Sequence, residues 1–258
     1  MLGGLLFHPF LYAALLSLMC IGMLWEFYRI TLDQQYKLQR AIAIFTGWAA
    51  FAVMFLVCGY GLSVKWLSLV LLLVLVMAGS FIFEKDHQHF PKSSFLYTGL
   101  LYIALPLALS NLLVFKDSAF SGKLMVAFFC IIWASDTGAY CFGMLFGQKG
   151  GKKLCPSISP KKSWAGFWGG VFMAVVAGAI LYYTGLFPFP LVHCLAVGAI
   201  MGVVDVVGDL FESLWKRAYD FKDSSHLIPG HGGLLDRFDS SLFAIPFGSI
   251  YLALFNLL

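Results

Sequence analysis

Charged residues are scarce in this chain. Asp, Glu, Lys and Arg make up 12% of its 258 residues, whereas 60% are hydrophobic, and the mean hydropathy is +0.86. An ordinary soluble domain is about a quarter charged, so the composition excludes that class. The strict apolar–polar alternation of a transmembrane β-barrel is missing as well. The composition therefore predicts an all-α, polytopic transmembrane helical bundle.

Other signals are absent too. The six cysteines form no CxxC pair and no zinc-finger spacing. Five of them lie in apolar runs, so we expect packing roles and no disulfides. The N-terminus lacks the basic region and cleavage site of a removable signal peptide. The net charge of +4 is spread over short loops, which does not predict binding to nucleic acid.

Apolar runs of about 20 residues, the length that crosses a bilayer, recur along the chain. They predict a single integral domain over residues 1–258 with about eight spans. The predicted spans are 5–27, 41–62, 66–84, 96–115, 124–146, 164–187, 189–208 and 238–258.

The distribution of Lys and Arg predicts the orientation. The loops after the first, third, fifth and seventh spans hold 14 of these bases, and the other side holds three. Because cytoplasmic loops carry the excess of positive charge, the 14-base side is predicted to face the cytoplasm. The loops 147–163 and 209–237 share that face.

Two acids stand out in or near the apolar runs. Asp136 lies within IIWASDTGAYCFG, where a carboxylate is costly unless it is paired, hydrated or protonated. It is either a buried acid satisfied by a neighbouring helix or part of the wall of a hydrated cavity, and we favour the cavity. Glu26 lies near the end of the first span, and we interpret it as an interfacial charge.

The loop 147–163 is rich in glycine, proline and lysine, which excludes a long helix there. Ser163 is placed to cap the helix that begins at Trp164. A helix N-terminus beside Lys161 and Lys162 suits a phosphate group, but ordinary cytoplasmic lysines explain the loop equally well. No Walker A sequence occurs in it.

The segment 208–239 gathers six acids and four bases in an otherwise apolar chain. Asp205, Asp209, Glu212 and Lys216 follow the spacing of one helix face, and Glu212–Lys216 also has the order of a stabilising helical ion pair. A glycine-rich turn around His231 comes next, and such glycines permit close backbone approach to a ligand.

Carboxylates recruit Mg²⁺, and Lys and Arg bind phosphate oxygens. This combination predicts a polyphosphate site at the membrane surface. The chemistry that it suits is phosphoryl or nucleotidyl transfer, which depends on positioning and charge neutralisation.

The motifs resemble those of the phosphatidate cytidylyltransferases, also called CDP-diacylglycerol synthases. The resemblance rests on SLWKR from Ser213, KD from Lys222 and HGGLLDRFD from His231. It also includes GDLFES from Gly208, DTGAY from Asp136 and SPKKSW from Ser159. It covers residue 10 to the end and is strongest over 130–240.

The resemblance implies that CTP and phosphatidate yield CDP-diacylglycerol and pyrophosphate with Mg²⁺, in phospholipid biosynthesis. It implies an enzyme of the bacterial inner membrane whose active site faces the cytoplasm. The implied metal ligands are Asp209 and Asp236. The implied catalytic residues are Asp209, Lys216, Arg217 and Asp236. The implied substrate-binding residues are Asp136, Ser159, Lys162, Ser213, Lys222, Asp223, His231 and Arg237.

The chain departs from the family in two respects. One further span commonly precedes the segment that matches residues 5–30, and Asp205 matches no family acid, so it receives no role. A cation-coupled transporter and an enzyme for another lipid phosphate remain alternatives. The predicted partners are CTP, phosphatidate and the lipid bilayer, without nucleic acid, and a homodimer stays open.

Overall fold

The computed structural model describes residues 8–83, 90–147, 151–221, 224–225 and 232–258. Helices dominate these residues, which confirms the predicted all-α class. Contacts within the chain define two compact units. The first contains residues 1–120 and 223–237, and the second contains residues 121–222 and 238–258. The prediction of a single domain made no such division.

The first unit is mainly helical over its described residues up to 120. Its α-helices are α1 (Pro9–Thr31), α2 (Lys37–Tyr60), α3 (Leu67–Gly79), α4 (Ser94–Gly99), α5 (Leu105–Leu109) and α6 (Asn111–Val114). Short 3-10 turns lie at Gln34–Tyr36, Val64–Trp66, Ser80–Phe83 and Phe90–Ser93, and a π-helical turn, Leu100–Ala104, joins α4 to α5. Two-residue strands β1 (Phe115–Lys116) and β2 (Ala119–Phe120) pair antiparallel.

One face of helix α1, around residues 22–28, is closely packed. Tyr28 is fully buried, and its hydroxyl donates to the Leu96 carbonyl at 2.7 Å. A Cβ on Gly99 would collide with the Tyr28 ring. A Cβ on Gly22 would lie 3.1 Å from the Leu234 side chain. The face of α1 around residues 22–28 therefore contacts both the helix that follows Ser94 and the segment around Leu234.

The second unit contains α7 (Lys123–Phe146), β3 (Lys153–Cys155), β4 (Ser159–Ser163), α8 (Trp164–Tyr183), α9 (Leu191–Ala218) and most of α10 (Leu235–Leu254). Its helices approach closely through glycine, as is common between membrane helices. A Cβ on Gly138 would lie 2.6 Å from the Gly169 carbonyl, and one on Gly198 would lie 2.6 Å from the Ala174 carbonyl. A Cβ on Gly208 would lie 2.8 Å from the Asp239 carbonyl.

Seven segments of the described residues are long and apolar enough to cross a membrane, and the protein is an integral membrane protein. They are Pro9–Thr31, Lys37–Tyr60, Val64–Phe83, Phe90–Val114, Lys123–Phe146, Trp164–Tyr183 and Leu191–Ala218. They correspond to the first seven predicted spans. The eighth predicted span forms α10, which begins with Asp236, Arg237 and Asp239 and contains Pro246.

Two parts of the chain differ from what hydropathy alone predicts. Helix α9 continues to Ala218, ten residues beyond the predicted end of its span. Strands β3 and β4 form an antiparallel hairpin within the predicted loop 147–163, with Lys153 opposite Ser163 and Cys155 opposite Ser159. Both differences build structure from polar sequence, which the hydropathy pattern treats as loop.

Candidate active site

A cavity of about 340 Å³ lies within the second unit. Helices α7, α8, α9 and α10 and strand β4 contribute to its wall. Its polar lining residues are Asp136, Tyr140, Lys161, Lys162, Ser163, Asp205, Asp209 and Ser240. The fold therefore brings together the Asp136 motif, the lysine-rich loop and the first half of the acidic segment, which are separate in sequence.

Asp136 lies on α7 and its side chain is exposed to this cavity. The neighbouring Thr137 hydroxyl donates to the Trp133 carbonyl at 2.7 Å, so it is satisfied within its own helix. Gly138 faces α8 and leaves no space for a side chain there. The structure thus supports the cavity wall over the buried acid among the two interpretations of Asp136.

Asp209 forms an ion pair between α9 and β4. Its Oδ2 lies 2.6 Å from Nζ of Lys162, and its Oδ1 accepts a hydrogen bond from the Ser213 hydroxyl at 3.3 Å. The two charged side chains are 23% and 41% exposed, in the order Lys162 and Asp209. A partly exposed ion pair of this kind contributes little to stability, so either member can change partners when a phosphate or a cation enters.

Asp205 lies one turn before Asp209 and is 2% exposed. Its Oδ1 and the Ser135 Oγ are both buried and have no hydrogen bond of normal geometry among the described residues, although the two side chains are close enough to interact. The Ser240 hydroxyl donates to the Asp205 carbonyl at 3.2 Å. Sequence reasoning gave Asp205 no role, yet its position four residues before Asp209 is the signal that places it at the cavity.

The helix face predicted for Asp205, Asp209, Glu212 and Lys216 lies on α9. Lys216 Nζ lies 2.6 Å from Oε2 of Glu212, whose side chain is 4% exposed. Asp239 of α10 interacts with Glu212, Asp209 and Lys216. Carboxylates at such close range repel one another unless a cation or a proton intervenes, so the Lys216 charge stabilises this group of acids.

The hairpin and the end of α9 are connected. Arg217 Nε donates to the Ile158 carbonyl at 3.3 Å, in the turn between β3 and β4. Ser159 lies on β4 opposite Cys155 and outside the cavity lining. Ser163 caps α8 by accepting a hydrogen bond from the Gly166 amide at 3.2 Å, as predicted. The cap and Lys161 and Lys162 meet at the cavity.

Asp236 belongs to the first unit and binds backbone. Its carboxylate accepts hydrogen bonds from the Ser224 amide at 2.9 Å and from the Gly233 amide at 2.7 Å. Arg237 follows it and is exposed. The predicted site residues Lys222, Asp223 and His231 lie outside the described residues.

Glu26 corrects the sequence-based interpretation. We predicted an interfacial charge, but this side chain is fully buried. Its carboxylate accepts hydrogen bonds from the amides of Leu234 and Leu235 at 3.0 and 2.8 Å, and from the hydroxyls of Ser224 and Ser225. No local sequence pattern could reveal this, because the donors lie about 200 residues later in the chain.

The oxygen-rich donor set suits Mg²⁺, which usually binds one or two carboxylates and completes its shell with water and substrate phosphates. Within the described part of the chain, no group of three or more His, Cys, Asp or Glu residues is arranged to hold a metal by itself. Asp209 and Asp236 belong to different compact units, so their sharing of one ion stays a prediction.

The fold and the cavity define an integral helical membrane protein with a site of paired acids and bases. The chain belongs to the cytidylyltransferase family, whose sequence profile matches residues 1–255. This match confirms the predicted family and the predicted class of enzyme, a nucleotidyltransferase.

Individual relatives are similar over most of their length. The phosphatidate cytidylyltransferase of Bacillus subtilis is 35% identical over 191 residues, which cover 74% of this chain and 69% of the relative. That of Rickettsia typhi is 33% identical over 210 residues, covering 76% and 89%. That of Rickettsia prowazekii is 35% identical over 183 residues, covering 68% and 77%. These similarities do not favour the transporter alternative.

Proposed function

We propose that this protein transfers the CMP moiety of CTP to phosphatidate, giving CDP-diacylglycerol and pyrophosphate in phospholipid biosynthesis. The observation that carries the proposal is the cavity of the second unit, where Asp136, Asp209, Lys161 and Lys162 line one space. The relatives named as phosphatidate cytidylyltransferases support the choice of substrates.

The reaction is a substitution at phosphorus. A phosphate oxygen of phosphatidate forms a bond to the α-phosphorus of CTP, and the bond from that phosphorus to the α,β-bridging oxygen breaks, so that pyrophosphate leaves with its electron pair. Such a transfer needs aligned reactants and neutralised charge more than a protein nucleophile.

Lys162 is the residue best placed to respond to a phosphate. Its charge is paired with Asp209 at 2.6 Å in a partly exposed position. A phosphate oxygen that enters the cavity can replace this carboxylate, since both are anionic acceptors of charged hydrogen bonds. Lys161, which lines the same cavity, would add a second positive charge.

We also propose that Asp209 and Asp236 hold Mg²⁺, with Asp136 on the wall of the cavity. Bound Mg²⁺ would neutralise charge that develops on the phosphates. Release of Asp209 from Lys162 would free a carboxylate as the phosphate arrives, so one exchange of partners serves both substrate and ion.

For the location, we propose the bacterial inner membrane with the cavity open to the cytoplasm. The 14-to-3 division of Lys and Arg supports this orientation, and the relatives are bacterial proteins. A cysteine introduced at the exposed Ser157, with the six native cysteines replaced by alanine, should react with an impermeant reagent after permeabilisation of the cells. Labelling in intact cells would contradict the orientation. Association into a homodimer stays a prediction.

The direct test is a reaction with the purified protein. Labelled CTP should be incorporated into lipid in the presence of phosphatidate and Mg²⁺, and dCTP, ATP and other lipid phosphates define the specificity. Lys162→Ala should lose activity, whereas Lys123→Ala, which removes an exposed lysine at the start of α7, should retain it. Incorporation into a different lipid phosphate alone would replace phosphatidate as the substrate. Ion flux in proteoliposomes without incorporation would favour a transporter.

A further inference from the structure

Glu26 contacts Ser224, Ser225, Leu234 and Leu235, which lie within the segment 208–239. It lies on α1, about 200 residues before the signature segment, and it is fully buried. Oε1 accepts the Leu234 amide hydrogen bond at 3.0 Å and also the Ser225 hydroxyl, while Oε2 accepts the Leu235 amide at 2.8 Å and the Ser224 hydroxyl at 3.3 Å. Each carboxylate oxygen therefore has two donors.

These donors lie on both sides of one segment. Ser224 and Ser225 precede residues 226–231, and Leu234 and Leu235 follow them. A side chain that caps a helix needs only the amides at its start. Glu26 binds those amides and also the hydroxyls of Ser224 and Ser225, so it links these two serines to Leu234 and Leu235.

Asp236 links the same two parts of the chain through different donors. It accepts from the Ser224 amide and the Gly233 amide, while Glu26 accepts from the hydroxyl of the same serine. A Cβ on Gly233 would collide with Ser224 Oγ and would lie 2.8 Å from Oε2 of Glu26. The absence of a side chain at Gly233 is thus required by the close approach of Glu26 and Ser224.

The donors around Glu26 suit a buried carboxylate. Burial of a carboxylate is costly unless hydrogen bonds replace its water, and here four donors do so. Two of them are backbone amides at the start of α10, where the helix dipole favours negative charge. Four hydrogen bonds therefore fix the position of the Glu26 carboxylate.

We infer that Glu26 is a positioning residue for the proposed reaction: its carboxylate clamps Ser224 and Ser225 to Leu234 and Leu235 and thereby orients Asp236, the proposed metal ligand. The inference rests on the proposed function. It gives a role to a residue of the first helix, which none of the site motifs includes. Glu26 acts through the residues that its carboxylate contacts, Ser224, Leu234 and Leu235.

The kinetic test compares two substitutions on α1 in the full-length protein. Glu26→Gln should lower kcat by about 10- to 100-fold, the range usual for residues that support a metal ligand, and should raise the Mg²⁺ concentration needed for half-maximal rate. The KM for phosphatidate should stay near its wild-type value. Tyr28→Phe is the matched control. Tyr28 lies two residues after Glu26 on the same helix, and the substitution removes one buried hydrogen bond, to the Leu96 carbonyl. It should retain both kcat and the Mg²⁺ dependence.

Hydrogen exchange tests the clamp without reference to catalysis. In Glu26→Gln the amides of Leu234 and Leu235 should exchange faster than in the wild-type protein, and in Tyr28→Phe they should not. Unchanged exchange in Glu26→Gln, or equal losses of kcat in both variants, would overturn the inference. If the wild-type protein lacks cytidylyltransferase activity, the proposed function fails, and faster exchange in Glu26→Gln would then establish the clamp but remove its catalytic purpose.

Discussion

Two clusters of acids, one around Asp209 and one formed by Glu26 and Asp236, differ in the groups that bind their carboxylates. In the cavity of the second unit, Asp209 is bound by a lysine side chain and a serine hydroxyl and is 41% exposed. In the first unit, Glu26 is fully buried and accepts hydrogen bonds from two backbone amides and two serine hydroxyls, and Asp236 accepts from the backbone amides of Ser224 and Gly233. Side-chain partners can rotate away when a ligand arrives, whereas backbone amides cannot. The first arrangement suits exchange of partners, and the second suits fixed geometry.

The largest effect on turnover is expected when one charge is removed from either cluster. Asp209→Asn and Asp236→Asn should each lower turnover by more than about 100-fold, beyond the loss usual for residues that only support a metal ligand. Residual activity should require more Mg²⁺. The measurement is rate against Mg²⁺ concentration with purified, folded variants. Near-normal turnover with unchanged Mg²⁺ dependence in either variant would exclude that residue as a ligand.

The same two variants should differ in the hydrogen exchange of their backbone amides. Asp236→Asn should accelerate exchange of the Ser224 and Gly233 amides, which its carboxylate binds at 2.9 and 2.7 Å. Asp209→Asn should leave both amides unchanged, because the described partners of Asp209 are side chains. Equal exchange in the two variants would contradict the distinction between the clusters.

A second prediction concerns the space around the clamp. Gly233→Ala should impair activity and stability, since the added methyl group collides with Ser224 and Glu26, and overpacking of this kind costs about 1–3 kcal/mol. Gly79→Ala is the control, because no described atom lies within 4 Å of the position that its added methyl group would take. Thermal unfolding in detergent measures the difference. Equal melting temperatures for the two variants would show that the segment around Gly233 relaxes freely.

The Lys216–Glu212 pair tests an intermediate case, a side-chain ion pair that is nearly buried. Lys216→Ala leaves the Glu212 carboxylate close to Asp239 without its cation. Loss of one partner of a buried pair costs about 3–5 kcal/mol, and the 19% exposure of Lys216 should reduce this cost. Adding Glu212→Gln should recover part of the lost stability. Additive losses in the double variant would show that the pair contributes little.

Much of the fold could be predicted from sequence, because hydropathy reports lipid contact directly. Seven predicted spans correspond to helices of the required length, and the spacing of Asp205, Asp209, Glu212 and Lys216 correctly predicted a helix face. The Ser163 cap is a local contact and was predicted for that reason. In each case the signal lies within a short stretch of chain.

The missed features have other causes. The β3–β4 hairpin has strands of three and five residues, too short and too polar for an alternating pattern to stand out. Hydropathy alone ends the seventh span at residue 208, because α9 then continues through charged residues to Ala218; only the spacing of Asp209, Glu212 and Lys216 predicts that continuation. Glu26 depends on donors about 200 residues away, and its isolated charge at the end of an apolar run resembled an interfacial residue.

The smallest stability effect is expected where the cavity exchanges partners. Lys162→Ala removes a partly exposed ion pair with Asp209, and such pairs contribute about 0–1 kcal/mol, so the melting temperature should stay close to that of Lys123→Ala. Activity should nevertheless fall in Lys162→Ala, because a positive charge facing the cavity is lost. Lys162→Arg retains the charge and should recover part of the rate if charge neutralisation is the role of this side chain, although its planar fork differs in geometry from an ammonium group. Measurement of kcat and KM for CTP and for phosphatidate in the three variants assigns the loss to one substrate. A large drop in melting temperature with a proportional loss of activity would instead make Lys162 a structural anchor of β4, and the contrast between an exchangeable and a fixed cluster would then be lost.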